Sequence, residues 1–215
     1  MSNPMIIGKL DPALQLIVLM ASFSLLPFIL VSMTSFLRYS IVLSILKTAM
    51  GTQQIPPAIV LVGMSLVLTI YTMAPIFGDI YNRINPIMQR NGSIVEVIEQ
   101  GSEPLKTFMM RQTRQTDVAF FIELSRNKPP ESPKDLTIWE VAPAFMISEL
   151  RTAFEIGFII FIPFIVIDLV VANILLALGM MMLSPTIISL PFKILIFVAV
   201  DGWSLIVNGL VQSFN

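Results

Sequence analysis

IGFIIFIPFIVIDLVVANILLALGMMMLSPTIISLPF occupies residues Ile156 to Phe192 and carries one charge, Asp168. The charge-free runs on either side of that aspartate are Ile156 to Ile167 and Leu169 to Phe192, and further short ones follow at Ile194 to Val200 and Gly202 to Asn215. This is room for two long apolar helices. Gly179 suits the end of the first, and Ser184 followed by Pro185 suits the start of the second. The chain therefore doubles back as a helical hairpin, with Met180, Met181 and Met182 at its tip. The spacing points to an all-α protein.

The same pattern recurs near the start. Pro12 to Leu37 holds 26 residues without a charge, and Thr48 to Gly78 holds 31. Each exceeds the roughly 20 apolar residues that cross a hydrocarbon core. Between Asp79 and Glu155, in contrast, 77 residues hold 20 of the 27 charged side chains. The chain reads as apolar, polar, apolar: a hydrophobic helical hairpin over 1–78, a polar helical middle region over 79–142, and a second hydrophobic hairpin over 143–215.

Composition narrows the chemistry. Of 215 residues 55% are apolar and 13% charged, against about 25% charged in a soluble domain. A net charge of -1 gives no basic excess for nucleic acid. With no Cys and no His, disulfides, thiol nucleophiles, iron–sulfur sites, serine triads and His-based metal sites are excluded. No metal or cofactor is expected.

Four hydrophobic helices are expected at about 13–37, 56–78, 144–178 and 186–212. Arg38 and Lys47 fall in the short connection between the first two, which the positive-inside rule places in the cytoplasm, with both termini and the middle region outside it. The opening MSNPMIIGKLDPALQ shows no basic n-region and no clear cleavage site, so the first hydrophobic segment is expected to act as its own insertion signal. In the middle region Ser93 and Glu96 form a capping box for a short helix stopped by Gly101. Ser102 then caps a longer helix to about Arg126, whose Arg111–Asp117 stretch is too polar for lipid. The string from Asn127 to Asp135 reads as a surface turn.

Pro27, Pro75, Pro163 and Pro191 each remove a helical hydrogen bond, which is tolerated where protein neighbours satisfy the freed carbonyl. Asp168, Lys193 and Asp201, all facing lipid, would cost roughly 9 kcal/mol on insertion scales. They are expected to face protein or a water-filled lumen. Three thioethers in a row at a turn suggest a flexible ring that closes a pore and yields to a passing chain. A different reading makes Asp168 and Asp201 the carboxylate pair of an intramembrane aspartyl protease, or the relay of a proton-coupled carrier. The strings around them, Val-Ile-Asp-Leu and Ala-Val-Asp-Gly, lack the Gly-x-Gly-Asp motif of such proteases.

Pro143-Ala-Phe-Met-Ile-Ser-Glu-Leu-Arg-Thr-Ala-Phe-Glu-Ile-Gly157, the segment from Phe164 through Pro185 and the segment from Leu190 to Trp203 closely resemble the FliP/SctR family. So do Met33–Arg38, Ala49–Pro57 and Met73–Pro75, and Pro104–Arg114 resembles the flagellar branch. These are export-gate proteins of flagellar and virulence-type type III secretion. The resemblance implies a non-enzymatic pore subunit, a pentamer joined by FliQ/SctS and FliR/SctT in a helical conical complex. FlhB/SctU and FlhA/SctV would lie nearby, and unfolded secreted proteins and rod or needle subunits would be the cargo. It implies a site in the bacterial inner membrane at the centre of the basal body, with most of the assembled chain on the periplasmic side. Met180–Met182 correspond to the family's methionine gasket.

Within such an assembly, Glu149 and Lys193 are expected to meet across a subunit boundary; the alternative pairs Arg151 with Glu155 and Lys193 with Asp201 inside one chain. Phe108, Phe120 and Phe121 flank the polar stretch of the middle region. They are expected to face neighbouring subunits, with packing inside one chain as the alternative.

Overall fold

The computed structural model describes residues 12–52, 54–90, 92–124 and 136–214, and within them every regular element is a helix. In chain order these are α1 (Pro12–Met33), α2 (Phe36–Ala49), α3 (Ala58–Gln89), α4 (Ile94–Gln112), α5 (Gln115–Leu124), α6 (Ile138–Ala177), α7 (Pro185–Ala199) and α8 (Gly202–Gln212). By length and composition α3 and α6 are able to cross a membrane, and the broken pairs α1–α2 and α7–α8 raise the number to four if each is one span. The all-α class and the apolar helices follow the sequence. The residues before Pro12 and the surface turn expected over Asn127 to Asp135 lie outside the described residues.

Several boundaries differ from expectation, each for a local reason. The first apolar run stops at Met33 because the Thr34 hydroxyl donates to the Leu30 carbonyl and accepts from the Phe36 amide at 3.3 Å, closing one helix and opening the next. The supposed loop with Arg38 and Lys47 is helix α2, and Arg38 is buried. These cations therefore give no loop charge from which to read orientation. Ser93 does cap α4 by accepting from the Glu96 amide. Gly101 does not stop that helix: a Cβ there would lie 3.2 Å from Ile84 Cγ2, so the glycine lets α4 approach α3. The break falls instead at Thr113, whose hydroxyl donates to Met109 O at 2.7 Å, while the Arg114 amide donates to Ser148 Oγ at 3.1 Å. Helix α6 starts at Ile138, ahead of Pro143, because Glu140 Oε2 accepts from both the amide and the hydroxyl of Thr137 at 2.9 and 2.8 Å.

Two compact units result, one from the described residues of Met1–Leu37 and Ile70–Glu149, the other from Arg38–Thr69 and Leu150–Asn215. In the first, Phe108 of α4 meets Phe145 of α6 edge-on at 5.9 Å. Among the second unit's residues, Tyr39, Val42, Leu43 and Leu46 of α2 are fully buried. Many of its apolar side chains remain exposed, including Phe154, Phe158 and Leu169 of α6 and Leu195 of α7. A monomer in water does not leave so much apolar surface open.

Candidate functional site

The hairpin tip lies in the second unit. Helix α6 ends on two backbone hydrogen bonds, Gly179 N–H to Leu176 O at 3.0 Å and Met180 N–H to Leu175 O at 2.9 Å. Gly179 sits at φ 74, the left-handed conformation that this ending requires and that costs a glycine little. Ser184 then takes an extended conformation as N-cap of α7, with Pro185 as the first helical residue. Between the two ends Met180 is 45% exposed, Met181 79% and Met182 100%. Side chains this open in their own chain, Met182 completely so, are not core filler.

Further along α7 the chemistry inverts. Lys193, 2% exposed, donates from Nζ to Asp168 Oδ2 of α6 at 2.7 Å and to the Ala49 carbonyl of α2 at 3.2 Å. Ser189, one turn earlier on α7, donates to Asp168 Oδ1. The ammonium also lies at the carboxyl end of α2, where the aligned carbonyls favour a cation. One lysine thus ties three helices, and the expectation that Asp168 and Lys193 face protein holds.

Lys193 takes Asp168 inside the chain, not Asp201. Eight residues of helix place Asp201 about 12 Å farther along the axis, exposed, at the 65° break between α7 and α8, with φ 51. Both oxygens of Asp168 have donors, and neither bonds to Asp201. The carboxylates do not form a pair sharing one proton, so the protease reading, which needs such a pair, has no support. Among the described residues no group of three or more Asp or Glu side chains gathers as a metal site.

Glu149 is fully buried on α6, while Arg151 and Glu155 are exposed on the same helix. Phe108 packs within its own unit. Phe120 is 55% exposed and Phe121 partly so, their rings edge-to-face at 5.3 Å. The sequence reading missed Ser189, although its i,i+4 spacing from Lys193 was the available signal. It also read Arg38 only as a loop charge, whereas the guanidinium reaches Ser213 and Phe214.

Comparison with known proteins places the chain in a family. The family model described as the FliP family matches residues 19–210. The flagellar biosynthetic protein FliP of Bacillus subtilis is 50% identical over 207 residues, covering 96% of this chain and 94% of that protein. Its counterpart in Pectobacterium carotovorum is 48% identical over 203 residues, 94% of this chain and 79% of that one. In Caulobacter vibrioides the figure is 48% over 209 residues, 97% and 79% respectively.

Proposed function

This chain belongs to the FliP family, and from that membership we infer that it is a core subunit of the bacterial flagellar protein-export gate, lining the pore through which unfolded substrates leave. The subunit acts without catalysis. It assembles as a pentamer with FliQ and FliR, beside FlhB and FlhA, in the inner membrane at the centre of the basal body. Most of the assembled chain stands on the periplasmic side, where the complex templates the rod.

The observation that carries the reading is the exposed methionine tip. An export pore has to admit an unfolded chain yet hold back ions when idle. Unbranched, polarizable side chains collapse into a dry constriction that dewets, then part around a substrate with little directional bonding to break. Met180–Met182, held out on a backbone-fixed turn, supply such side chains from every copy. The apolar surface left open on α6 and α7 supports burial against other subunits.

Two kinds of contact between copies extend the proposal. Glu149 and Lys193 are the polar pair proposed to meet across a subunit boundary; Glu149 is fully buried and Lys193 2% exposed in the single chain, so their meeting requires assembly to open the cover over each. Phe120 and Phe121, both reaching the surface, supply an aromatic patch for a boundary between copies, and Phe108, whose ring packs on Phe145, is the weaker member of the three.

Replacing Met180, Met181 and Met182 together by Ala tests the central claim. The complex is expected to assemble normally and to leak small ions, read as membrane conductance of cells expressing it. A triple variant that assembles and stays as tight as the parent removes the methionines from the seal. Glu149→Ala and Lys193→Ala complexes that both survive detergent intact would refute the polar contact. Photoreactive groups at Phe120 and Phe121 that crosslink only within one chain would refute the aromatic one.

A further inference from the structure

Arg38 opens the second unit as a buried guanidinium, and the groups that receive it lie 175 positions downstream. Its Nη1 donates to the Ser213 carbonyl at 2.8 Å and to the Ser213 hydroxyl at 2.9 Å. The same guanidinium lies 3.7 Å from the centroid of the Phe214 ring, and Tyr39 meets that ring edge-on at 5.3 Å. Ser213 is the C-cap of α8. The last carbonyls of a helix lack partners within it, and a cation there complements the helix dipole. A planar guanidinium donates from its edge while its face stacks on an aromatic ring, a combination that an ammonium lacks.

The other end of α8 is held differently. It begins at Asp201, the one non-glycine residue with positive φ among those described, where the chain turns through 65° from α7. Between these ends Leu205 and Ile206 of α8 border a partly open cavity of about 280 Å³, lined also by Leu46, Phe164 and Phe197, with no polar surface. A helix lying over a void forgoes the dispersion contacts that a packed face would supply. Its packing is concentrated toward its two ends: Gly202 and Trp203 lie against Phe197 at one, where the Trp203 ring meets Phe197 edge-on at 5.3 Å, and Leu210 is buried near the other.

We propose that α8 is a lid over this apolar cavity, hinged at Asp201 and latched where Arg38 and Tyr39 receive Ser213 and Phe214. Closed, the lid shields Leu46, which is fully buried on α2. Open, it admits solvent or an apolar group to the cavity while α2, α3 and α6 keep their arrangement. The proposal does not depend on the export role.

The chain contains no cysteine, so a single introduced thiol reports one position. In the full-length protein in detergent, the rate of maleimide labelling is measured at Leu46→Cys and, as a control outside the cavity, at Ser65→Cys, a buried site on α3 of the same unit. Arg38→Ala and Phe214→Ala are each expected to raise the rate at position 46 more than tenfold and to leave position 65 within twofold. Phe214→Leu, which keeps apolar bulk and removes the ring face, should give a smaller rise, about threefold. The double variant Arg38→Ala with Phe214→Ala should label no faster than either single one, because both break one latch. Unchanged labelling at position 46, an equal rise at both positions, or multiplicative effects in the double variant would each overturn the lid.

Discussion

Helix α7 has two ends that obey opposite rules. At its start, Met180–Met182 are apolar and exposed; two turns in, Ser189 and Lys193 are polar and buried. In a soluble protein the two would change places. The buried charge is tolerated because two of its three protons are accepted inside the chain, by Asp168 and by the Ala49 carbonyl at the end of α2. The exposed thioethers have no such partners, which marks them for something outside the chain. Within this hairpin, satisfaction of hydrogen bonds decides what is held, and its absence decides what is left to be covered.

The contrast is sharpest where a charge is stranded. Lys193 is 2% exposed and Asp168 32%, so the two partners are not equivalent. Asp168→Ala leaves an ammonium with almost no water and should destabilise the chain by about 3–5 kcal/mol, read as loss of the thermal transition in detergent. Lys193→Ala leaves a carboxylate that water reaches, and should cost less, about 2–3 kcal/mol, including the small void from the lost stem. Replacing both residues by Leu and Met should recover most of the loss, since apolar groups of similar volume substitute for a buried pair at little net cost. A double variant as unstable as Asp168→Ala would mean that packing, not charge, governs the site. Thr137→Ala removes the N-cap partner of Glu140 and should cost about 1 kcal/mol, visible as earlier exchange of the amides that open α6. The smallest effect belongs to the other end of α7: the triple change of Met180–Met182 to Ala should move stability by no more than about 0.5 kcal/mol, because these side chains touch little. A larger shift would contradict their exposed placement.

How much of this was legible in the sequence depends on which force set each feature. The apolar helices were, because 26 and 31 residues without a charge admit few alternatives. The turn at Gly179 was also legible, because left-handed backbone and a following Ser-Pro are local signals. Helix α2 was not: Arg38 and Lys47 look like loop charges until Ser213 and Phe214, far away in sequence, are seen to receive one of them. Gly101 looked like a stop because a glycine chosen for close packing against Ile84 is indistinguishable, in sequence, from one chosen for its backbone. The start of α6 carries a local signal, the capping box Thr137-x-x-Glu140, which the more conspicuous Pro143 obscures. For the polar cluster, the cost of burying charge required that Asp168 and Lys193 find protein or water, but it did not say which partner each would take. Spacing alone offered Asp201, and the fold chose Asp168.

The turn that closes α6 is made by main-chain atoms, and a Cβ built on Gly179 would meet nothing within 4 Å. The methionine side chains therefore have no part in making the bend that presents them; Met180 contributes only its main-chain N–H and carbonyl. What the bend does fix is length: five residues separate Gly179 from Pro185, while farther along the hairpin Lys193 is clamped to Asp168. The tip behaves as a spacer of set size between two fixed points. Its letters can be exchanged with little consequence for the hairpin. Removing one of them has to be absorbed by unwinding the end of α6 or the start of α7, so a one-residue deletion should harm the molecule more than three substitutions at the same place.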